Sequence, residues 1–387
     1  MRVVNILTSS LSVRFLEGQA EYFEKKGFEV SVVSSPGEEL AKAQSQGVQT
    51  VAVPIAREIS PSKDLLSLWR LVRIISRLRP AITHVGTPKG GLLGGIAAWV
   101  CRVPCRFYSL YGLRCETTTG LKRRLLVLAE RIACLCAHRV FCVSESLRQA
   151  AIDLAIVDGG RCFVLASGSC NGIDAERFGP TAEALRRAEV LRWQLEIPRD
   201  APVVGFVGRL TRDKGIVELV DAYLRLRRGL PKLRLLLVGE VEEADPLPFE
   251  TRRLIERESQ IIHTGFVEDP VPYYHVMDVL AFPTHREGFP NAVLEAHAAG
   301  KPIVAAQSTG VVDAVINGVT GILVPVGDAR ALADALQLVL EDQTLAAALG
   351  TAGRKRVLCE FRQETVWDAI LQEYLQHLTV KDFRSRG

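Results

Sequence analysis

Apolar runs of strand length alternate with amphipathic helical stretches twice along this chain, and that alternation constrains the fold more than any other feature. Strands separated by helices pair in parallel, because each helix returns the chain to the starting edge of the sheet. The expected strands fall at 3–7, 30–34, 82–85, 106–109, 140–143 and 162–165, and then at 203–207, 233–238, 261–264, 279–283, 302–306 and 321–324. The sequence therefore predicts an α/β protein with two doubly wound, Rossmann-like domains.

A turn-rich joint separates the two series of strands. A chain of 387 residues is too long for one ordinary core, so two domains are expected. The joint contains Gly179 and Pro180, then a charged helix, then Pro198 and Pro202. We expect a first domain at 1–185, a second at 186–364, and a C-terminal helix and tail at 365–387 that packs back toward the first domain.

The composition, 48% hydrophobic and 24% charged residues, is that of a soluble globular protein. No charge-free apolar run reaches the roughly 18 residues of a membrane span, and the chain opens on a strand instead of a signal peptide, so a cytoplasmic location is expected. The nine cysteines fall largely in apolar elements and are interpreted as reduced thiols. Cys134, Cys136 and His138 lack a second ligand pair, so no metal site is expected there.

Charge is unevenly shared between the halves. Residues 1–180 carry 23 Lys and Arg against 15 Asp and Glu, a balance of +8, whereas residues 181–387 carry 25 against 29, a balance of −4. Such asymmetry favours an anionic partner for the first half, with a nucleic acid, a phospholipid surface and a phosphorylated acceptor left open by charge alone.

Glu287 and Glu295 frame the most informative local pattern, E-x7-E, which runs from a turn into a helix. Gly288 permits close approach of a ligand to the backbone, and Pro290 suits a first helical position. Free N–H groups at such a helix start can hold phosphate. The stretch lies between two predicted strands, which is where open α/β sheets bind nucleotides.

A basic loop opens the second half and complements this anion site. Arg209 and Lys214 follow the predicted strand 203–207, which delivers them to the same sheet edge as Glu287. Two cations and a helix N-terminus could stabilise a diphosphate leaving group without a metal. No Asp-x-Asp pair occurs in the chain, which leaves a metal-held diphosphate without an obvious ligand set.

Taken together, these motifs resemble the donor domain of family 4 glycosyltransferases. The match covers most of residues 200–330 and includes Gly208-Arg209, Lys214-Gly215, the turn 265–269, the E-x7-E stretch, and Gly318 with Gly321. The resemblance implies a GT-B fold with two domains facing a cleft, a UDP-sugar donor, no metal cofactor, and transfer with retention of configuration. It assigns catalysis to Glu287, Arg209 and Lys214. The donor-binding set that it implies is Gly208, Arg209, Lys214, Val267, Glu287, Gly288, Phe289, Pro290, Asn291 and Glu295.

Within that set the resemblance implies separate roles. Arg209 and Lys214 bind the diphosphate, Glu295 accepts hydrogen bonds from ribose hydroxyls, and Glu287 holds the donor sugar. The amides of Gly288 to Asn291 meet phosphate and sugar, and backbone near Val267 contacts the base.

The first half resembles the subgroup that acts on polyprenyl-diphosphate-linked saccharides in capsule, O-antigen and bacterial N-glycan assembly. The segments that carry this resemblance are 53–61, 87–94, 111–114 and 143–146. The implied acceptor- or sugar-proximal residues are Ser12, His84, Lys89, Tyr111 and Arg114. Two positions depart from the subgroup: Gly86 stands where a second histidine often follows, and Tyr111 replaces a histidine near the donor sugar. We expect the Tyr111 hydroxyl to contact that sugar instead.

Two basic clusters in the first half suggest a membrane surface. Arg70, Arg73 and Arg77 fall on one helical face beside apolar residues, and Lys122, Arg123 and Arg124 cluster at a helix start, where the macrodipole opposes positive charge. These six residues are expected to face anionic lipid on the inner side of the plasma membrane.

The sequence thus predicts a peripheral hexosyltransferase that moves a sugar, expected to be an N-acetylhexosamine, from a UDP-sugar to a polyprenyl-diphosphate-linked saccharide. No nucleic-acid partner is expected. A transferase with a soluble acceptor, a nucleotide-sugar epimerase and a non-catalytic nucleotide-sugar binding protein remain open alternatives. An NAD enzyme is disfavoured, because the first loop, residues 8–12, lacks the glycine fingerprint.

Overall fold

A computed structural model of the chain describes residues 1–56, 60–242 and 245–385. Residues 57–59, part of the 53–61 motif, lie outside the described residues. The chain divides into two units: Met1–Gly172 together with the segment from Gln363 onward, and Ile173–Arg362. The expected boundaries at 185 and 364 differ from these, because the Ile173 N–H bonds to the Phe361 carbonyl and so joins residues 173–185 to the second unit.

The first unit is a parallel sheet of seven strands in the order β3-β2-β1-β4-β5-β6-β7. Its strands are β1 (Arg2–Ile6), β2 (Glu29–Ser34), β3 (Gln49–Ala52), β4 (Ile82–Gly86), β5 (Cys105–Leu110), β6 (Arg139–Cys142) and β7 (Cys162–Val164). Its first helices are α1 (Gln19–Lys25), α2 (Glu38–Ser45), α3 (Pro61–Leu78), α4 (Gly95–Val100), α5 (Gly120–Cys136) and α6 (Glu145–Asp153). Strand order reverses between β1 and β4, whose residues pair from Val3 with Ile82 to Ile6 with Val85.

The second unit is a parallel sheet of six strands in the order β10-β9-β8-β11-β12-β13. Its strands are β8 (Val203–Val207), β9 (Arg234–Val238), β10 (Ile261–His263), β11 (Val279–Phe282), β12 (Ile303–Ala306) and β13 (Ile322–Val324). Its helices are α7 (Ala182–Gln194), α8 (Ile216–Leu226), α9 (Phe249–Arg257), α10 (Val271–Val276), α11 (Asn291–Ala298), α12 (Val311–Ala314), α13 (Ala329–Glu341) and α14 (Gln343–Glu360).

The last helix, α15 (Gln363–Ser385), belongs to the first unit although it follows the second in the chain. Val366, Ile370 and Tyr374, spaced four residues apart, place their side chains on one helical face. They join the buried core beneath the sheet together with Trp367 and Leu371. Burial of that apolar face holds the helix against the sheet.

Local chemistry explains several helix starts. Thr181 caps α7 by accepting a hydrogen bond from the Ala184 N–H, and Asp328 caps α13 through the N–H groups of Arg330 and Ala331. Gly215, which precedes α8, has φ of 71°, and a Cβ there would lie 2.1 Å from the Pro283 carbonyl oxygen. A glycine is therefore needed where the loop after β8 meets the end of β11.

Candidate active site

The second unit brings its predicted site residues to one sheet edge. Strand order reverses between β8 and β11, so the loops that follow these strands flank the crevice where open α/β sheets bind ligands. Arg209 and Lys214 lie in the loop after β8, and Glu287 lies in the loop after β11. The structure therefore gathers residues that are about 75 positions apart along the chain, as this topology requires.

Lys214 and Glu287 form an ion pair across this crevice. Both side chains are largely buried, with 18% and 16% of their surfaces exposed. The Glu287 N–H also donates to the Thr309 carbonyl at 3.0 Å, which anchors its loop to the one after β12. A cation and a carboxylate held together at low exposure form a site that can exchange one internal partner for an anionic ligand.

Arg209 also has an acidic partner, Glu242, in the loop that follows β9. Arg209 keeps 56% of its side chain exposed, whereas Glu242 keeps 16%. A second pair, Arg286 with Asp213 at 2.8 Å, ties the loops after β11 and β8 together. The edge is thus lined by paired charges of both signs.

Glu295 lies on α11 and accepts a hydrogen bond of 2.5 Å from the Tyr274 hydroxyl. Burial raises the pKa of Glu295, and the bond from Tyr274 acts in the opposite direction. The carboxylate is therefore held in a fixed place by a neighbouring hydroxyl, as a group that accepts hydrogen bonds from a ligand needs to be.

The turn before α11 is ordered and close-packed. Gly288, Phe289 and Pro290 are buried, and α11 begins at Asn291, so Pro290 stands one position before the helix instead of at its first residue. A Cβ on Gly310 would lie 2.4 Å from the Gly288 carbonyl oxygen, which shows how tightly the neighbouring loop packs. Val267 is half-buried in the loop between β10 and α10, and Gly208 directly follows β8.

In the first unit, hydroxyl groups lie where the strand order reverses, in the loops after β1 and β4. The Thr8 and Thr87 hydroxyls, after β1 and β4, lie 2.7 Å apart, and the Gly90 N–H donates to Thr8 Oγ1 at 2.8 Å. Lys89 pairs with Asp64 of α3 at 2.6 Å. Ser12 lies 3.4 Å from the Ser9 hydroxyl in the 3-10 segment Ser10–Leu16, and Arg114 is exposed in the loop after β5.

Tyr111 and His84 line the same small cavity in the first unit, and Tyr111 is half-buried. Burial raises the pKa of Tyr111 above its ordinary value. The expected contact of the Tyr111 hydroxyl with the donor sugar stays a prediction. His84 is buried, and burial lowers its pKa to about 4, so its imidazole is neutral near pH 7.

The six basic residues expected to face a membrane lie on α3 and α5. Arg73 and Arg77 are exposed, Arg70 is half-buried, and Lys122, Arg123 and Arg124 are exposed at the start of α5. The Arg73 guanidinium lies 4.6 Å from the Trp69 ring centroid. Large exposed apolar side chains accompany them on α3, α4 and α5: Leu65, Leu66, Trp69, Trp99, Val100, Leu121, Leu125 and Leu128.

Sequence reasoning missed three partners of the predicted site residues: Glu242, Tyr274 and Tyr374, which bond to Arg209, Glu295 and His84 respectively. Tyr374 is 290 residues from His84 along the chain. The position of Glu242 in the loop after the predicted strand 233–238 was an available signal, because the carboxyl ends of the strands of a parallel sheet meet at one edge.

Two family models match this chain, one in each half. The model for glycosyl transferases group 1 matches residues 188–356, and that for a glycosyl transferase 4-like domain matches residues 12–168. The capsular polysaccharide biosynthesis glycosyltransferase CapM of Staphylococcus aureus is 34% identical over 96% of each chain. The chain therefore belongs to the group 1, family 4 glycosyltransferases.

A second relative and a solved structure agree with that membership. The UDP-Gal:α-D-GlcNAc-diphosphoundecaprenol α-1,3-galactosyltransferase of Escherichia coli is 26% identical over 84% of this chain and 83% of its own. The crystal structure of Anabaena HepE in complex with UDP and glucose superposes with a TM-score of 0.80 at 21% identity, over 96% of this chain and 99% of that one. This likeness confirms the GT-B fold.

Within the described ranges, no group of three or more His, Cys, Asp and Glu side chains could hold a metal ion. In that same part of the chain, no helix combines the length and apolar character needed to cross a bilayer.

Proposed function

We propose that this glycosyltransferase moves a sugar from a UDP-sugar to a polyprenyl-diphosphate-linked saccharide, without a metal ion and with retention of configuration. The N-acetylhexosamines are the donor sugars to test first. The observation that carries the proposal is the half-buried Lys214–Glu287 pair at the strand-order reversal of the second unit.

Donor binding would rearrange that pair. The donor diphosphate is an anion, so it can replace the Glu287 carboxylate as the ion-pair partner of the Lys214 ammonium group. Glu287 is then released to accept hydrogen bonds from the sugar hydroxyls. Binding thereby couples capture of the diphosphate to orientation of the sugar, which fits a reaction that depends on placement.

Departure of UDP adds negative charge to the β-phosphate, and this added charge is where the site can accelerate the reaction. Lys214 and Arg209 stabilise the leaving group more strongly than the bound donor. No metal is needed for that role. Glu295, held by Tyr274 at 2.5 Å, is proposed to accept hydrogen bonds from the ribose.

The acceptor class is proposed from relatives. The name of the Escherichia coli protein states a diphosphoundecaprenol-linked acceptor and UDP-Gal as donor, and CapM is named for capsular polysaccharide biosynthesis. A lipid-linked acceptor requires the enzyme to work at a membrane surface. Exposed Leu65, Leu66 and Trp69 on α3, beside Arg73 and Arg77, supply the apolar and cationic side chains for peripheral attachment to anionic lipid.

The experiment is incubation with a panel of labelled UDP-sugars, with and without a synthetic polyprenyl-diphosphate-linked saccharide, in chelator and in added Mg²⁺. Transfer only with the lipid-linked acceptor, unchanged by chelator, and an α-linked product from an α-linked donor are expected. Transfer to soluble saccharides, epimerisation of the nucleotide sugar, or binding without turnover would each replace the proposal with the corresponding alternative. An inverted anomeric centre would overturn retention.

A further inference from the structure

His285, in the loop after β11, is joined to the first turn of α8. Its Nε2 atom lies 3.1 Å from Glu218 Oε1, and its backbone N–H donates to the Asp213 carbonyl at 2.8 Å. The Thr284 hydroxyl donates to the same carbonyl at 3.1 Å. The start of this loop is therefore fixed both to the loop after β8 and to α8.

The Glu218 carboxylate needs a cation beside it. Glu218 keeps 19% of its side chain exposed and His285 keeps 32%. The second carboxylate oxygen, Oε2, is buried and has no hydrogen-bond partner among the residues that the structure describes. A carboxylate held in this way costs free energy unless an opposite charge lies near it. The hydrogen bond from His285 lowers the pKa of Glu218 most strongly, and Arg212 adds a smaller effect in the same direction.

The charge of the pair depends on one proton of the imidazole. A carboxylate only accepts hydrogen bonds, so Nε2 carries a proton whether the ring is neutral or cationic. The proton on Nδ1 is therefore the one that turns the contact between His285 and Glu218 into an ion pair.

Acidic groups on three elements face His285. Glu218 lies on α8, Asp213 in the loop after β8, and Asp245 in the loop between β9 and α9, where its carboxylate accepts a hydrogen bond of 3.0 Å from the Asp213 N–H. In the same loop as His285, Arg286 pairs with Asp213. The hydrogen bond to Glu218 raises the pKa of His285 above its ordinary value of 6.5, burial opposes that rise, and the three carboxylates add to it.

The sign of the pH dependence follows from this raised pKa. At pH 6.5 more than half of the His285 rings carry a positive charge. The stability that the ion pair contributes is complete below pH 6.5 and is lost as the pH rises through the folded-state pKa.

Donor binding makes the His285 contact important for Glu287. In the proposed function the diphosphate takes Lys214 away from Glu287, which removes one of the ion pairs between the two loops. The ion pairs formed by His285 and Arg286 involve neither residue, so they persist when the donor is bound. They lie two and one positions before Glu287 and so determine where its carboxylate can reach.

We propose that His285 is a charged positioning residue, which holds the loop after β11 against α8 so that Glu287 stays in place for the donor sugar while Lys214 binds the diphosphate. The part that this loop plays in transfer rests on the proposed function. The charge of His285 and its pairing with Glu218 do not.

The charge is tested first, by side-chain nitrogen NMR of ¹⁵N-histidine-labelled full-length protein over a range of pH, with His285→Gln to assign the signal. The expected titration midpoint of His285 lies above 6.5. Glu218→Gln removes the anion and keeps the shape of the side chain, so the midpoint should fall in that variant. A wild-type midpoint at or below 6.5, or one that Glu218→Gln leaves unchanged, would overturn the proposal.

Transfer kinetics test the positioning role. His285→Gln keeps an N–H donor and loses the charge, so kcat/KM at pH 6 should fall by about fivefold, the upper range for a partly exposed ion pair. The ratio of wild-type to variant kcat/KM should decline toward one as the pH rises past the NMR midpoint. UDP affinity should change by less than about twofold, because the groups proposed to bind the diphosphate are intact. A ratio that is constant with pH would mean that the imidazole acts by packing, and would overturn the proposal.

Arg227→Gln is the matched control. Arg227 lies at the other end of α8 and pairs with Glu258, with 36% and 21% of the two side chains exposed, so the variant removes an ion pair of similar burial from the same helix. Its transfer rate should equal that of the wild type. A loss equal to that of His285→Gln would mean that only the stability of α8 matters, and would contradict the positioning role.

The remaining outcomes separate this inference from the proposed function. A fall in UDP affinity as large as the fall in transfer would mean that His285 serves the diphosphate, and positioning of Glu287 would be rejected. If no UDP-sugar supports transfer in the wild type, the proposed function fails, and the NMR titration still decides whether His285 is the charged partner of Glu218.

Discussion

Both units are parallel sheets whose strand order reverses once, between β1 and β4 in the first and between β8 and β11 in the second. The chemistry at the two reversal points differs. In the second unit the loops after β8 and β11 are joined by ion pairs, Lys214 with Glu287 and Arg286 with Asp213. In the first unit the loops after β1 and β4 meet through the hydroxyls of Thr8 and Thr87, and the ion pair there, Lys89 with Asp64, joins the β4 loop to α3.

The same topology therefore supports two kinds of site. Charged pairs suit a ligand that carries formal charge, because each internal partner can be exchanged for a ligand group. Hydroxyl groups and a neutral imidazole suit an uncharged, hydroxyl-rich ligand, which offers hydrogen bonds in both directions. The difference favours a diphosphate at the second unit and a saccharide at the first.

The strongest test of this contrast removes a cation from the charged edge. Lys214→Ala and Arg209→Ala should each lower kcat/KM. The fall should correspond to a loss of about 2 to 4 kcal/mol of transition-state stabilisation, because each variant loses an interaction that strengthens as UDP departs. The measurement is steady-state transfer with a fixed donor. Lys232→Ala is the control, since Lys232 forms an exposed ion pair with Asp200 in the same unit. Near-normal rates in both variants would contradict the role of these two cations in stabilising the leaving group.

The next test asks whether the basic residues of the first unit serve lipid instead of substrate. Replacing Arg70, Arg73 and Arg77 together by Gln should weaken binding to vesicles of anionic lipid by about 1 kcal/mol per arginine at low salt. Added salt should weaken wild-type binding as well, because screening acts within about 8 Å at physiological ionic strength. Sedimentation with vesicles measures both effects.

A charge-matched triple variant in the second unit controls that measurement. Arg228, Arg253 and Arg257 are exposed there, and their replacement by Gln changes net charge equally. Equal losses in the two triple variants would mean that overall charge, and not the face of α3, governs attachment.

A smaller effect separates the two glutamates of the charged edge. Glu295→Gln should weaken UDP affinity by about 2 kcal/mol, the size of a hydrogen bond to a charged group, because its proposed partner is the ribose. Glu287→Gln should leave UDP affinity nearly unchanged and lower transfer, because its proposed partner is the sugar. Calorimetry with UDP, beside transfer rates, checks both. The reverse order would exchange their roles.

The smallest expected effect concerns a buried carboxyl group of the first unit. Glu130 on α5 accepts a bond of 2.6 Å from Tyr108, and burial raises its pKa to about 7. A raised pKa gives stability that is complete below pH 4.5, the ordinary value, and is lost as the pH rises to 7. Wild-type protein should therefore lose about 1 kcal/mol of unfolding free energy between pH 5 and pH 6, relative to Glu130→Gln. Denaturant unfolding at both pH values measures this, and identical pH profiles would contradict it.

The sequence predicted most strands because they are apolar runs between helices. All twelve expected strands lie within one residue of the observed bounds at each end, for example 203–207 against Val203–Val207 and 82–85 against Ile82–Gly86. The strand β3 was missed. Its residues Gln49–Ala52 are only partly buried at the edge of the sheet, so no apolar run marks them.

The candidate site was predictable where one loop contains the whole pattern, and not where two distant segments meet. The stretch from Glu287 to Glu295 contains within itself the residues that predict its turn and its helix. Other contacts join distant segments. Tyr374 reaches His84 because α15 packs against β4, and the Tyr111 ring lies against Gly86 because the loop after β5 packs against the end of β4. Local patterns do not report such packing.

The place of α15 also bears on how the chain is made. The core of the first unit needs Trp367, Ile370 and Tyr374, which a ribosome supplies only after the whole of Ile173–Arg362 has been synthesised. Domains generally fold as units during synthesis, in order from the N-terminus. Here synthesis of the first unit begins first and ends last. Its apolar surface therefore stays exposed while the second unit is translated. During that interval we expect the nascent chain to need a chaperone.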